Sequence, residues 1–205
     1  MASLHAGTHE AAHVCVARHG ETDWNRLGIL QGWFDVPLNT LGRQQAQALA
    51  TSLTAAGFAA LWTSPLARAA ETAQIVASHL ALPAPRAHEG LRERNFGAIQ
   101  GIPKSELAEL NPVLLEQILR RNPAAEFVGG ESMDDFAERV LDAITAIGAE
   151  HRGQKVLAVT HGWVLDVVTR HILGLERRAV MHVKPQNGEV LWVEVTPKAI
   201  TAQPG

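Results

Sequence analysis

Cysteine is nearly absent from the 205 residues: Cys15 is the single one, and it lies inside an apolar run. That rules out a disulfide framework and fits a reducing compartment, with the thiol acting as a small buried hydrophobe. Long apolar stretches are missing too. None approaches the ~18 consecutive residues of a membrane-spanning helix. Nor is there an excess of positive charge, since the formal net charge is −3 and the pI about 6.4. This balance argues against a nucleic-acid or membrane surface, although bulk charge does not describe a single basic cleft. The opening residues, Met1-Ala2-Ser3-Leu4-His5-Ala6-Gly7-Thr8, lack the basic start and apolar centre of a signal peptide. Residues 1–11 read as a mobile tail, and the expected compartment is the cytoplasm. There is no low-complexity run and no linker. The chain is 46% hydrophobic and 19% charged, which suits one domain with a real core over residues 12–205.

One echo is present. Val14-Cys15-Val16-Ala17-Arg18-His19-Gly20 and Val156-Leu157-Ala158-Val159-Thr160-His161-Gly162 share a shape, 142 positions apart. Each is a short apolar run that ends in a polar residue, a histidine and a glycine. Such a run reads as a buried parallel strand emptying into a loop. Ligands of open α/β sheets bind beyond the carboxyl ends of these strands. If the two strands are neighbours, His19 and His161 belong to one site.

Strand signals at 13–17, 60–63, 84–88, 155–160 and 189–195, the last strand expected, alternate with helical ones. Residues 40–56 read as a helix with Thr40 as cap, Leu49 and Leu53 on one face and Gly57 at its end. Ser64-Pro65 reads as the cap and first turn of another helix, carrying Leu66, Ala70, Ala73 and Val76. Ser132 and Asp135 make a capping-box-like start for a helix that keeps Phe136, Val140, Ile144 and Ile147 together. A helix over 163–173 stops at Gly174. Residues 102–130, interrupted by Pro112 and Pro123, read as an insertion-like helical flap. The expected architecture is α/β: a three-layer α/β/α sandwich around a mostly parallel central sheet.

The chemistry-bearing residues sit at the ends of these strands. In Arg18-His19-Gly20-Glu21-Thr22 the guanidinium offers a planar fork that matches phosphate oxygens. The imidazole offers a nitrogen able to attack phosphorus. Gly20 lets the backbone turn sharply and come close to the ring. Arg68 falls in the first turn of the helix after strand 60–63, where the helix N-terminus favours an anion. Glu93 is a carboxyl flanked by Arg92 and Arg94. Near such cations His19 should stay neutral by like-charge repulsion.

The pattern resembles the histidine phosphatase superfamily, the cofactor-dependent phosphoglycerate mutase-like fold. The matching segments come in family order: Arg18-His19-Gly20-Glu21-Thr22-x-Trp24-Asn25; Gln31-Gly32-Trp33-Phe34-Asp35-Val36-Pro37-Leu38; Ser64-Pro65-Leu66-x-Arg68-Ala69-x-x-Thr72-Ala73; Glu93 with Phe96-Gly97; Gly130-Glu131-Ser132; and Thr160-His161-Gly162. The resemblance implies that His19 is the nucleophile that becomes phosphorylated and that Glu93 donates the proton to the leaving oxygen. It assigns Arg18, Asn25, Gln31, Gly32, Arg68 and His161 to binding of phosphate or substrate. No metal and no cofactor are implied, because arginine and histidine neutralise the charge. Ala98-Ile99-Gln100-Gly101 departs from the aromatic-Glu-Gly common in phosphatase members. The Gln-Gly form also occurs among mutases.

Other features are weighed against plainer readings. His9-Glu10-Ala11-Ala12-His13 spells a zinc-protease motif, with His19 at the position of a third ligand. That motif needs a helix followed by a glycine turn. The turn position here is Val16, inside an apolar β run, so the zinc reading is rejected. Trp33 and Phe34 either line the mouth of a pocket or pack their loop on the domain. Lys104, Arg120 and Arg121 are expected on a solvated flap face, with contact to an acidic substrate tail as the sharper alternative. Arg94 either binds an anion or makes a salt bridge.

The expected function is hydrolysis of a small phosphorylated metabolite through phosphohistidine. The alternative is a mutase that moves phosphate between two hydroxyls. The thirty or so residues between Gly101 and Gly130, and about ten after Val195, favour the hydrolase. A third reading, a phospho-ligand binding module without turnover, fits poorly because every catalytic position is filled. The natural substrate stays open, as does oligomeric state, with a homodimer among the options.

Overall fold

Strand β1 (Ala12–Arg18) sends its side chains alternately into two cores. Val14 and Val16 join one, Cys15 and Ala17 the other, and all four are fully buried. A strand covered on both faces must be apolar at every position, which is why its sequence shows a run rather than an alternation. The computed structural model describes residues 10–177, 179 and 186–203. After β1 come α1 (Asp23–Leu27), α2 (Thr40–Ser52), β2 (Ala60–Thr63), α3 (Ala67–Leu80), β3 (Arg86–Ala87), α4 (Lys104–Leu110) and α5 (Pro112–Leu119). Then follow α6 (Met133–Glu150), β4 (Lys155–Thr160), α7 (Gly162–Ile172), β5 (Val190–Val195) and β6 (Ile200–Ala202).

The six strands form one sheet in the order β3-β2-β4-β1-β5-β6. β3, β2, β4 and β1 are parallel, while β5 and β6 run antiparallel. Helices α2 and α3 pack on the face of Cys15 and Ala17, and α6 and α7 on the face of Val14 and Val16. The result is a three-layer α/β/α sandwich. Phe136, Val140, Ile144 and Ile147 of α6 are all fully buried. Each contributes at most about 1.5–3 kcal/mol by leaving water. The flap is tied to the same core, since Leu107, Ile118, Ala125 and Phe127 are buried in it with α6 and α7.

Several local expectations are corrected. Asn39, not Thr40, caps α2; its side chain accepts from the Gly42 N–H at 2.8 Å. Helix α2 ends at Ser52 rather than 56, with turns before Gly57. Helix α3 starts at Ala67, and its first N–H is satisfied by Asp35 Oδ1 at 2.6 Å. Ser64 is therefore not its cap. Its hydroxyl accepts from Leu66 N at 3.3 Å and meets His161. Segment 84–88 contributes only two strand residues, and 189–195 is followed by β6. Of the expected tail, residues 1–9 lie outside the described residues, while the Ala11 carbonyl accepts from Gly153 N at 3.2 Å.

The first turn of α2 rests directly on the loop after β1. A Cβ on Gly42 would lie 2.0 Å from the Glu21 carbonyl oxygen, and one on Gly20 would lie 2.3 Å from that of Gly42. Gly20 is not among the glycines with positive φ. Close backbone approach to α2, rather than an unusual turn, is what requires it. In an ordinary helix Gly→Ala stabilises by about 1 kcal/mol. Here Gly42→Ala should instead destabilise by roughly 1–3 kcal/mol, the cost of overpacking. Chemical denaturation measures the sign, and a raised midpoint would contradict the contact.

Candidate active site

The register of the two central strands brings the echoed motifs together. β1 pairs with β4 so that Arg18 faces Thr160, and the His19 N–H donates to the Thr160 carbonyl at 2.9 Å. The two histidines leave the sheet at the same level. Their ring centroids are 5.1 Å apart in a T-shaped contact. His19 is 2% exposed and His161 fully buried.

The tautomer of His19 follows from its neighbours. Nδ1 lies 2.5 Å from the Gly20 carbonyl oxygen, which can only accept, so Nδ1 carries the proton. Nε2 then holds the lone pair and accepts from Arg68 Nε at 3.2 Å. Burial lowers the His19 pKa well below its ordinary value, and the Arg68 and Arg18 charges push it further the same way. The ring is thus held neutral, with its lone-pair nitrogen against the Arg68 guanidinium.

Arg68 comes from the first turn of α3 and is 1% exposed. Its Nη1 donates to the Phe34 carbonyl at 3.0 Å and its Nη2 to that of Gly32 at 2.8 Å. With the Nε bond, three of five donors are committed, which sets the plane of the fork. Gly32 therefore serves Arg68 through its backbone. Its φ of 49° and the 2.0 Å approach of a Cβ to Gln100 Oε1 leave no room for a side chain. Arg18 lines the same cavity from the end of β1. Burial lowers its pKa to about 10, so it stays cationic at neutral pH.

Glu93 stands in the cavity wall, 9% exposed. Burial raises its carboxyl pKa above the ordinary range, against the opposing Arg94 N–H and the Arg121, Arg68 and Arg18 charges. Its segment is stapled from outside. The Glu93 carbonyl accepts from Trp33 Nε1 at 2.8 Å and from Arg139 Nη2 at 3.3 Å. Arg139 in turn grips Glu131 twice at 2.8 Å, and Glu131 accepts from Asn95 N at 2.8 Å. The Gly130-Glu131-Ser132 segment thus serves to hold Glu93, through an arginine that sequence reading missed.

The remaining candidates divide. Asn25 and Gln31 both line the cavity. Asn25 Oδ1 accepts from the Thr22 N–H at 3.1 Å to cap α1, and Gln31 Oε1 accepts from the Thr22 hydroxyl at 3.1 Å. His161 does not line the cavity but backs His19, its Nε2 2.8 Å from Ser64 Oγ. Trp33 and Phe34 pack their loop instead of lining the cavity. Arg94 is not at the cavity either. It donates to the Ala125 and Glu131 carbonyls and lies over Phe127.

The expectation of a solvated flap face fails for two of three residues. Arg120 is exposed and pairs with Glu116, but Arg121 is buried and lines the cavity, as does Lys104. Two adjacent arginines at a helix end carry no local signal for which one turns inward. The His-Glu-x-x-His segment is not a helix: residues 12–18 are strand, Val16 is fully buried, and His13 lies 3.7 Å from Glu194. His9 lies outside the described residues. Among the described residues no helix is long and apolar enough to cross a membrane.

The cavity has a volume of about 220 Å³ and a cationic wall. That size sits below the usual range for drug-sized ligands and suits a small anion-bearing molecule. Comparison with known proteins points the same way. The model of the histidine phosphatase superfamily (branch 1) matches residues 14–203. The chain is 37% identical to phosphoglycerate mutase-like protein 4 of Arabidopsis thaliana, over 75% of this chain and 68% of that one. It is 36% identical to a metal-independent phosphoserine phosphatase of the same plant, over 78% and 68%. Among solved structures, YhfR of Bacillus stearothermophilus superposes with a TM-score of 0.86 at 32% identity, covering 94% and 95% of the two chains.

Proposed function

The chain belongs to the histidine phosphatase superfamily, and from that premise we propose that it is a metal-independent phosphatase hydrolysing a small phosphomonoester through a phosphohistidine intermediate. The observation that carries this is the state of His19: a proton held on Nδ1 by Gly20, a lone pair on Nε2 against the Arg68 guanidinium, and a ring kept neutral by burial and by the Arg68 and Arg18 charges.

In the first step Nε2 attacks phosphorus and the ester P–O bond breaks. The leaving oxygen takes the proton of Glu93, and the alcohol departs. In the second step the Glu93 carboxylate removes a proton from water. The hydroxide oxygen attacks phosphorus, the P–N bond breaks, and inorganic phosphate leaves with His19 and Glu93 restored. Arg18 and Arg68 neutralise the phosphoryl oxygens in both steps. At ~4 Å and an effective dielectric near 20 each contact gains on the order of 4 kcal/mol before desolvation. Positioning and charge neutralisation are the main demands of phosphoryl transfer, and this wall supplies both from side chains.

The relatives include proteins named for phosphatase and for mutase activity. Support for hydrolysis comes from the flap, which offers only the short helices α4 and α5 to shield an intermediate from water. The purified protein should turn over p-nitrophenyl phosphate. With 3-phosphoglycerate and 2,3-bisphosphoglycerate it should release inorganic phosphate faster than it forms 2-phosphoglycerate. The opposite ratio would assign it as a mutase.

A further inference from the structure

Arg121 reaches the cavity from the segment after α5, and what holds its head lies on α7. Its Nη2 donates to the Gly162 carbonyl at 2.8 Å, and the guanidinium sits 4.6 Å from the centroid of Trp163. Behind it stands Asp166, 1% exposed and absent from the cavity wall. One Asp166 oxygen lies 3.7 Å from Arg121 Nε, and the other accepts from Arg170 Nε at 2.9 Å. Arg170, one turn further along α7, is also buried.

A buried carboxylate between two buried guanidinium groups is a poor device for stability, because apolar side chains of similar volume do as well or better. Its value here lies in what it aims. The backbone of Arg121 is in the left-handed region, with φ of 51°, a conformation that a non-glycine residue adopts only when its surroundings impose it. A long side chain entering a polar cavity from such a point would otherwise sample many rotamers. Because α7 begins directly after His161, an anchor on α7 ties Arg121 to the frame that carries the histidine pair.

We propose that Asp166 is a positioning residue for this site: braced by Arg170, it holds the Arg121 guanidinium on the cavity wall within electrostatic reach of Glu93. The inference rests on the phosphatase reading for its consequence but not for its geometry. Glu93 faces Arg18 at the end of β1, Arg68 on α3, Arg121 of the flap and the Arg94 N–H of its own segment. Arg121 comes first among the three charges. Asp166 itself faces Arg121 and Arg170.

The sign of one titration decides the matter. If Arg121 kept its place without Asp166, its unopposed charge would lower the Glu93 pKa. If it swings away, the field weakens and the pKa rises. Asp166→Asn is expected to raise the Glu93 carboxyl titration by about half to one pH unit, as for a charge moved from ~6 to ~10 Å at a dielectric near 20, and Arg121→Met, which removes that charge, by about two. The double variant should titrate like Arg121→Met alone. Carbon-13 NMR of labelled glutamate, assigned with Glu93→Gln, reads this without any turnover. Arg170→Gln, which removes only the brace, should move it in the same direction by less, and stands in if Asp166→Asn does not fold. A titration that falls or stays fixed, or effects that add in the double variant, would overturn the proposal. An expected titration in a protein that turns over no phosphomonoester would leave the clamp standing and remove the phosphatase reading. Normal turnover with the titration reversed would do the converse.

Discussion

Replacing His19 by alanine should lower turnover of p-nitrophenyl phosphate by more than about 10³-fold, a loss of at least ~4 kcal/mol of transition-state stabilisation. The size follows from removing the atom that forms the covalent bond. Water would have to attack phosphorus directly in a cavity built around Nε2. His19 is 2% exposed and meets Arg68, the Gly20 carbonyl and His161, so far-UV circular dichroism of the variant is measured beside its turnover to separate lost chemistry from lost fold. Arg18 and Arg68 would remain, so inorganic phosphate should still bind. Rapid quench of the wild-type protein with labelled substrate should trap an acid-labile, base-stable label that is missing from the variant. Near-normal turnover in His19→Ala, or a label that survives it, would remove His19 as nucleophile.

The second large effect depends on the substrate. In single-turnover measurements, which read the first step and not the shared second one, Glu93→Gln should slow transfer from an alkyl phosphate by about 10²–10⁴-fold, the usual worth of a general acid, and from p-nitrophenyl phosphate far less. An alkoxide cannot leave without a proton, whereas p-nitrophenolate can. The pH profile carries the same information. Glu93 must be protonated to donate, so alkyl phosphate hydrolysis should fall as pH rises through its raised carboxyl pKa. His19 must be neutral to attack, so activity should fall as pH drops through its imidazole pKa, which lies well below the ordinary value. In Glu93→Gln the basic limb should vanish and the acidic limb remain. Equal losses on the two substrates, or a basic limb that persists, would count against Glu93 as the acid.

The residues that gather at the cavity were partly legible in the sequence. Val14–Ala17 and Val156–Val159 are apolar without alternation because they are covered on both faces, and a strand of that kind ends where the sheet ends. Whatever polar residues follow it must sit at the ligand-binding edge. His19 and His161 could be named for that reason, Arg68 from the first turn of the helix after β2 and Glu93 from its flanking arginines and the family resemblance, and the four do gather. Their detailed work was less legible. His161 backs His19 from outside the cavity wall, and Gly32 holds Arg68 with a carbonyl. Neither role leaves a mark on residue type.

Helix starts were read wrongly where the capping partner is remote. Ser64-Pro65 has every local sign of a cap, yet Asp35, from a loop more than thirty residues earlier, meets the first N–H of α3 and leaves Ser64 to His161. Arg120 and Arg121 are chemically identical neighbours. One pairs with Glu116 in solvent and the other with Asp166 in the interior, a choice made by the fold of the flap against α7. The antiparallel edge strands β5 and β6 likewise follow from which edge of the sheet was unpaired, a property of no single segment.

Burial pattern and residue chemistry along the chain determined that this protein is a layered α/β domain with histidines and arginines gathered at its strand ends. Both are short-range properties, written as apolar runs and as the polar residues that close them. Only the tertiary structure decided which nitrogen of His19 carries the proton, which flap arginine enters the cavity and what lies behind it. Those depend on groups brought together from far along the chain, because hydrogen bonds act only at contact distance and the field of a charge weakens as it is moved away.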